Sequence, residues 1–422
     1  MESESYRPRL IDDTLRLYLE AFPAVCIEGP KWCGKTWTGV QFSKSIFDVA
    51  NPSKNFANKE LARMDVMKAL EGKPPHLIDE WQSVPGIWDA VRFAADERNE
   101  TGRFILTGSA TPISKGVEHS GTGRIARLSM HPMSLYESGD SDGMVSLGDV
   151  CNGKDIGVLR VTSHSIEDLI WYVVRGGWPA SLGRSPHLAT LLPRQYIDSV
   201  LKSDIRKIDD VEHDYIKVLK CLRSLARNES TVASNATIKD DIEEHDATSL
   251  GINTVSAYLN AFRRMFLTND IEPFSTFLRS PVRIKQAVKR HFCDPSIPVA
   301  LMRATGNMLL RDLRSFGFLF ESLALRDLQI YAEAMNGRLY HYRDYDGREI
   351  DAIIQFDDDN WSAFEIKLNS ADADEAAENL KKVNGIFKHN PAKSLAVVVG
   401  NGINAYRRQD GVYVLPLTSL RP

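Results

Sequence analysis

The chain has 422 residues, enough for about three domains of ordinary size. Hydrophobic residues make up 43% and charged residues 26%, the balance of a folded globular protein, which excludes a disordered chain. A net charge of −4 excludes a chain-wide basic footprint, so any nucleic-acid surface has to be a local patch.

The five cysteines, Cys26, Cys33, Cys151, Cys221 and Cys293, have no C-x-x-C spacing, so neither a zinc knuckle nor a disulfide framework is indicated. A reducing, cytoplasmic setting fits them best. The start, Met1-Glu2-Ser3-Glu4-Ser5, is polar and acidic, unlike a signal peptide. No stretch approaches ~18 uninterrupted apolar residues, so no membrane span is expected.

Residues 10–130 alternate short apolar runs with helical stretches, which predicts a parallel sheet covered on both faces. Strands are expected at 24–28, 45–50, 75–79 and 103–108. From 138 to 163 the composition shifts to Ser, Gly and Asp, as in Ser138-Gly139-Asp140-Ser141-Asp142-Gly143, and reads as an excursion or linker. Residues 165–290 read as mostly helical. Within them Thr248 to Phe262, with Gly251 in the turn, is similar to the second half of a helix-turn-helix. Arg263 and Arg264 behind it could meet phosphates or form a solvated helix cap. Residues 310–422 return to strands with amphipathic helices.

The first chemical motif is Gly29-Pro30-Lys31-Trp32-Cys33-Gly34-Lys35-Thr36, which fits G-x-x-x-x-G-K-[ST] and follows the apolar run Ala24-Val25-Cys26-Ile27. Such a loop turns backbone N–H groups around a β-phosphate at a helix N-terminus. Lys35 would meet the β- and γ-phosphates, and the Thr36 hydroxyl would take one position on Mg²⁺. About 45 residues on, Asp79 and Glu80 end an apolar run, where ligands of open α/β sheets bind. Asp79 would support Mg²⁺ and Glu80 would activate water. Arg103 to Ala110 brings Thr107 and Ser109 to a strand end, as sensors of the γ-phosphate or holders of the water. Arg124 and Arg127 are candidate arginine fingers. Cys33, a thiol beside Lys35 at a helix N-terminus, is expected to react with alkylators, unless it is buried and inert.

These motifs, with Leu77-Ile78-Asp79-Glu80-Trp81-Gln82, Ile105-Leu106-Thr107-Gly108-Ser109, Gly123-Arg124-Ile125 and His131-Pro132-Met133-Ser134-Leu135-Tyr136-Glu137, resemble a prokaryotic family. It is the AAA-type P-loop ATPase family with a C-terminal domain of unknown function numbered 4143. Arg175-Gly176-Gly177-Trp178-Pro179 and the segment from Tyr196 to Asp204 are similar to further family signatures. The resemblance implies an additional-strand fold, in which the strand bearing Thr107 lies between those leading to Lys35 and Asp79. It also implies a winged-helix-like middle.

A second constellation comprises Glu321, then Asp351 at the head of an apolar run, then Glu365-Ile366-Lys367. Residues two apart in a strand share a face, so Glu365 and Lys367 would project together. Two carboxylates on Mg²⁺ with a lysine beside water can hydrolyse a phosphodiester, whereas a solvated face with cross-strand pairs would look alike in sequence. The pattern resembles the PD-(D/E)XK core of restriction-endonuclease-like domains. By that resemblance Asp351 and Glu365 bind metal, Lys367 is catalytic and Glu321 is an accessory acid. His291 reads as a strand or turn histidine rather than a ligand, and Trp171, Tyr172 and Trp178 as core.

The expectation is therefore a multidomain α/β protein: a P-loop ATPase over 1–163, a helical winged-helix-like connector over 164–290 and a nuclease-like α/β domain over 291–422. Expected cofactors are ATP and Mg²⁺, with a second Mg²⁺ or Mn²⁺ site in the C-terminal domain. DNA or RNA, a protein partner or a second copy of the chain are the open partners, and no membrane is expected. An ATP-controlled switch that binds without cutting is the alternative to an ATP-coupled nuclease.

Overall fold

The computed structural model describes residues 6–98, 100–110, 121–201, 214–274 and 287–422. The described residues divide into two compact units, the first made of those within 6–132 and 260–267 and the second of the remainder.

The first unit is built on five parallel strands, β1 (Ala24–Glu28), β2 (Ser45–Asp48), β3 (His76–Asp79), β4 (Phe104–Gly108) and β5 (Ile125–Ser129). Their order is β2-β3-β4-β1-β5, so the strand bearing Thr107 lies between β1 and β3, as the family resemblance implies. The alternation of side chains divides the core into two layers. Ala24, Cys26, Ile78 and Leu106 face one side with Trp81, Ile87, Trp88 and Val91, the last three from helix α1 (Gly86–Arg98) and its approach. Val25, Ile27, Leu77 and Ile105 face the other with Leu15. Leu15 comes from a helix that precedes β1, α2 (Ile11–Ala21), and the helix after the glycine loop, α3 (Lys35–Phe42), packs its Val40 and Phe42 against the same layer. A sheet buried on both faces needs continuous apolar strands, which is why β1 and β4 read that way in sequence.

The second unit holds a seven-stranded mixed sheet in the order β7-β12-β13-β11-β10-β9-β8. Its strands are β7 (Val158–Arg160), β8 (Arg338–Arg343), β9 (Glu349–Gln355), β10 (Trp361–Lys367), β11 (Ser394–Val399), β12 (Asn404–Arg407) and β13 (Tyr413–Pro416). Strands β8, β9 and β10 are antiparallel neighbours, and a crossover through helix α4 (Ala373–Asn384) makes β11 parallel to β10. A long helix, α5 (Leu313–Ala334), precedes β8. Phe274, Trp361, Leu380, Val383, Val397 and Val399 anchor the core between α4 and the sheet.

The segment 138–163, which composition reads as an excursion, supplies two strands to this unit. β6 (Val145–Ser146) pairs in parallel with β14 (Leu420–Arg421), and β7 pairs with β12. The helical stretch contains α6 (Tyr215–Arg227), α7 (Asn235–Asp246) and α8 (Ile252–Arg264), with residues 247–251 joining the last two. Ser224 and Lys220 of α6 donate to the carbonyls of Ile238 and Asp246, at 3.0 and 2.9 Å. Asp204, the end of one family signature, lies outside the described residues.

Candidate functional site

The glycine loop leaves β1 at Glu28 and enters α3 at Lys35. Two glycines are required by space and conformation. A Cβ on Gly29 would lie 2.1 Å from the Met130 carbonyl oxygen, and Gly34 has φ +111° at the helix N-cap. Lys35 is buried, and its ammonium donates to the carbonyls of Gly29 at 2.9 Å and Pro30 at 2.7 Å. The side chain thus lies across the mouth of the loop.

The ends of β3 and β4 are level, with Asp79 beside Thr107. Asp79 Oδ1 accepts from Thr36 Oγ1 at 2.9 Å and also from Thr107 Oγ1. Hydroxyl and carboxylate oxygens in one cluster are the hard donors that Mg²⁺ selects, so these residues fit that ion. Glu80 follows with φ +55°, an uncommon conformation for a side-chain-bearing residue, and its backbone N–H donates to Thr107 Oγ1 at 3.4 Å. Its Oε2 accepts from Gln82 Nε2 at 2.6 Å and Ser109 Oγ at 3.3 Å. Burial raises the affinity of the Glu80 carboxyl for a proton, against the opposing charge of Lys35. Gly29 to Thr36, Asp79, Glu80, Thr107 and Ser109 are therefore gathered at the carboxyl ends of adjacent strands.

Two expectations change here. Arg124 precedes β5, level with the start of β1, and pairs with Asp96 at 2.6 Å. It stands roughly 20 Å along the strand direction from Gly29 of the glycine loop, at ~3.3 Å per residue, too far to serve as a finger in the same chain. Arg127 pairs with Glu28 at 2.5 Å and stacks over the Trp88 ring at 4.6 Å, which commits its charge within the unit. Cys33 is fully buried, with Sγ 3.5 Å from the Met130 carbonyl, so its thiol is shielded rather than poised for reaction.

Sequence reasoning missed Arg9. Its guanidinium donates to the carbonyls of Cys33 at 2.7 Å and His131 at 2.9 Å, tying the loop to the chain after β5. No motif marks it. Gln82 stands inside the quoted Leu77 to Gln82 run, where its spacing of two from Glu80 was the available signal.

In the second unit, β9 and β10 pair from Trp361↔Gln355 to Phe364↔Ala352, bringing Asp351 next to Glu365. Asp351 Oδ2 accepts from the Ile366 backbone N–H at 2.9 Å, and Lys367 Nζ bonds Glu365 Oε1 at 3.1 Å. The expected group does converge, but around an ammonium. Lys289, only 1% exposed, reaches Asp351 Oδ1 at 3.2 Å, Glu349 Oε1 at 3.7 Å and, closest, Glu321 Oε1. Burial works against the Lys289 charge, yet Glu321, Asp351 and Glu349 together hold its proton more firmly than usual. Burial pushes Glu365 up to about 8, with Asp351 adding to the rise, and pushes Glu321 up to about 8 against the pull of Lys289. Asp351 is held below the usual range because Lys289, Lys367 and the Ile366 N–H outweigh its burial. Among the described residues no group of three or more His, Cys, Asp and Glu side chains is disposed to hold a metal ion. A second metal site at Asp351 and Glu365, as expected from the sequence, is not shown.

The remaining signatures are structural. Arg175 pairs with Asp140 at 2.7 Å, Gly177 N–H donates to Asp294 at 2.8 Å, and Trp178 Nε1 donates to Ser296 at 2.9 Å. His291 is buried with Nδ1 3.2 Å from Glu229, as a core histidine.

Residues 21–138 match the AAA domain family. That match spans the glycine loop together with Asp79, Glu80 and Thr107. Residues 316–420 match the domain of unknown function 4143, and residues 166–307 match another, numbered 8612. Uncharacterized proteins Rv2008c of Mycobacterium tuberculosis and Mb2031c of Mycobacterium bovis are each 24% identical over 364 residues, 84% of this chain and 73% of theirs. Among solved structures, the Walker-type ATPase PABY2304 of Pyrococcus abyssi aligns over 71% of this chain and 97% of its own, at 14% identity and TM-score 0.45. The Aeropyrum pernix ORC1 protein in complex with DNA aligns over 73% and 96%, at 13% identity and TM-score 0.23. Likeness at these scores carries no functional argument. The AAA match itself supports ATP binding and hydrolysis. No described helix is long and apolar enough to cross a membrane.

Proposed function

We propose that the chain is a Mg²⁺-dependent ATPase whose nucleotide state governs what its C-terminal domain recruits. The carrying observation is the single carboxylate oxygen of Asp79 shared by Thr36 and Thr107, with Glu80 seated beside it. Backbone N–H groups of the Gly29–Thr36 loop bind the phosphates, and Lys35 exchanges the Gly29 and Pro30 carbonyls for β- and γ-phosphate oxygens. Thr36 and Asp79 would hold Mg²⁺, which when bound neutralises phosphate charge. Glu80 orients the attacking water and takes its proton at Oε2, the oxygen that Gln82 and Ser109 fix in place. Because Thr107 bonds both Asp79 and the Glu80 backbone, it couples the two carboxylates and acts as a sensor of the nucleotide.

For the C-terminal part, the order α5-β8-β9-β10-α4-β11 and the meeting of Asp351, Glu365 and Lys367 support a restriction-endonuclease-like fold. We assign residues 291–422 to it, residues 164–290 to a winged-helix-like connector, and nucleic acid as the partner it binds without cutting. Cleavage is the second reading, favoured by the Glu365 and Lys367 pair.

The test of the ATPase reading is Glu80→Gln. This variant should keep ATP affinity while hydrolysis falls about 10²- to 10⁴-fold, the usual contribution of a general base, whereas Lys35→Ala should lose binding. Undiminished hydrolysis by Glu80→Gln would refute the mechanism. Salt-dependent DNA or RNA binding, measured with and without ATP, tests the partner.

A further inference from the structure

We infer that Lys289 takes the cation position of the C-terminal carboxylate cluster, so that the cluster is complete without a divalent ion. The inference is independent of ATP hydrolysis and bears on what the C-terminal domain can do.

Three observations carry it. Lys289 is anchored by its backbone, which exchanges two 2.9 Å hydrogen bonds with Ile271, so its side chain enters the cluster from a fixed base. Its ammonium is within ion-pair distance of Glu321, Glu349 and Asp351 at once. Asp351, the carboxylate that a bound ion would need most, has Oδ1 on Lys289 and Oδ2 on the Ile366 N–H. Among the described residues the buried cluster oxygens without a hydrogen bond are Glu365 Oε2 and Glu321 Oε1, and the latter is the one in closest ion-pair contact with Lys289, so Glu365 Oε2 alone falls short of a two-carboxylate set.

The chemistry distinguishes the two cations. An ammonium supplies one charge and three directed hydrogens, which suits carboxylates around 3 Å away. Mg²⁺ demands oxygens at about 2.0–2.1 Å in a near-octahedral shell. A second cation entering the cluster would face the fixed Lys289 charge with little water to screen it. A lysine in this place preserves the shape of a phosphodiester-cutting core while withholding the Lewis acid.

Hydroxyl-radical mapping with Fe²⁺ and ascorbate cuts a chain next to bound iron, and electron paramagnetic resonance counts bound Mn²⁺. Both are applied to the full chain without nucleotide. The wild type should show no cuts in β9 or β10 and no Mn²⁺ that Asp351→Asn removes. Lys289→Gln should gain one Mn²⁺ per chain, at least tenfold tighter than any in the wild type, with cuts in β9 and β10. Adding Asp351→Asn should abolish both gains. Wild-type cuts in β9 or β10 overturn the inference outright, even if Lys289→Gln does not fold. A Lys289→Gln protein that is folded by circular dichroism but gains no ion overturns it as well.

Discussion

Replacing Arg9 with methionine keeps the aliphatic stem and removes the guanidinium that holds the glycine loop from behind. The bonds lost include those to the Cys33 carbonyl at 2.7 Å and the His131 carbonyl at 2.9 Å, in a residue only 7% exposed. Bonds from a charged donor contribute about 1.5–3 kcal/mol each, so the lower end for two is about 3 kcal/mol. Part of this stabilises the fold and part holds the loop in the shape that phosphates require. If half belongs to the loop, about 1.5 kcal/mol, ATP affinity falls roughly tenfold; if all does, roughly 150-fold. Calorimetric titration of ATP into wild type, Arg9→Met and Arg9→Lys should give a graded series, since lysine can still reach one carbonyl. A methionine variant that binds ATP within about twofold of wild type would show that the loop holds its shape without Arg9.

Two further outcomes are expected. Burial pushes Glu229 from its ordinary 4.5 to about 8, so the folded chain keeps a proton that the unfolded chain releases in that interval. The stability carried by this proton is complete below about pH 4.5 and is lost as pH rises through about 8. The melting temperature of wild type relative to Glu229→Gln should therefore decline across that window, while His291, pushed by burial to about 3, stays neutral throughout. Parallel pH profiles would contradict this account. Iodoacetamide should leave Cys33 unmodified in the folded protein and alkylate it after denaturation, as the thiol is fully buried. Rapid labelling under native conditions would mean that the loop opens.

What could be read from the sequence follows from how local the governing physics is. The Gly29 to Thr36 loop is legible because one short segment must satisfy a phosphate, and its spacing records that need. Four of the five strands in the first sheet are legible from apolar runs, β5 (Ile125–Ser129) not being among those expected, and the expected 45–50 shortens to Ser45–Asp48 at the sheet edge, where fewer partners extend a strand. Arg124 looks available in sequence, but parallel pairing puts it at the wrong end of the sheet. Arg9 and Lys289 act across more than 20 residues of chain on partners with no periodic relation to them, so neither leaves a local mark. The Ser, Gly and Asp composition of 138–163 correctly signals turns, yet hides β6 and β7, which are too short to show alternation and are specified by distant partners.

Those same short strands impose an order on synthesis. Ser141 donates its hydroxyl to the Leu420 carbonyl, 279 residues later, and β6 and β7 are completed only by β14 and β12. At translation speeds of about 5–20 residues per second, the first-made parts of this unit wait roughly 15–55 s for their partners. The AAA sheet, whose strands end at Ser129, is meanwhile free to form as it leaves the ribosome. A ribosome that stalls between β7 and β12 would release a finished parallel sheet attached to unpaired strand edges, the kind of product that chaperones and proteases must clear.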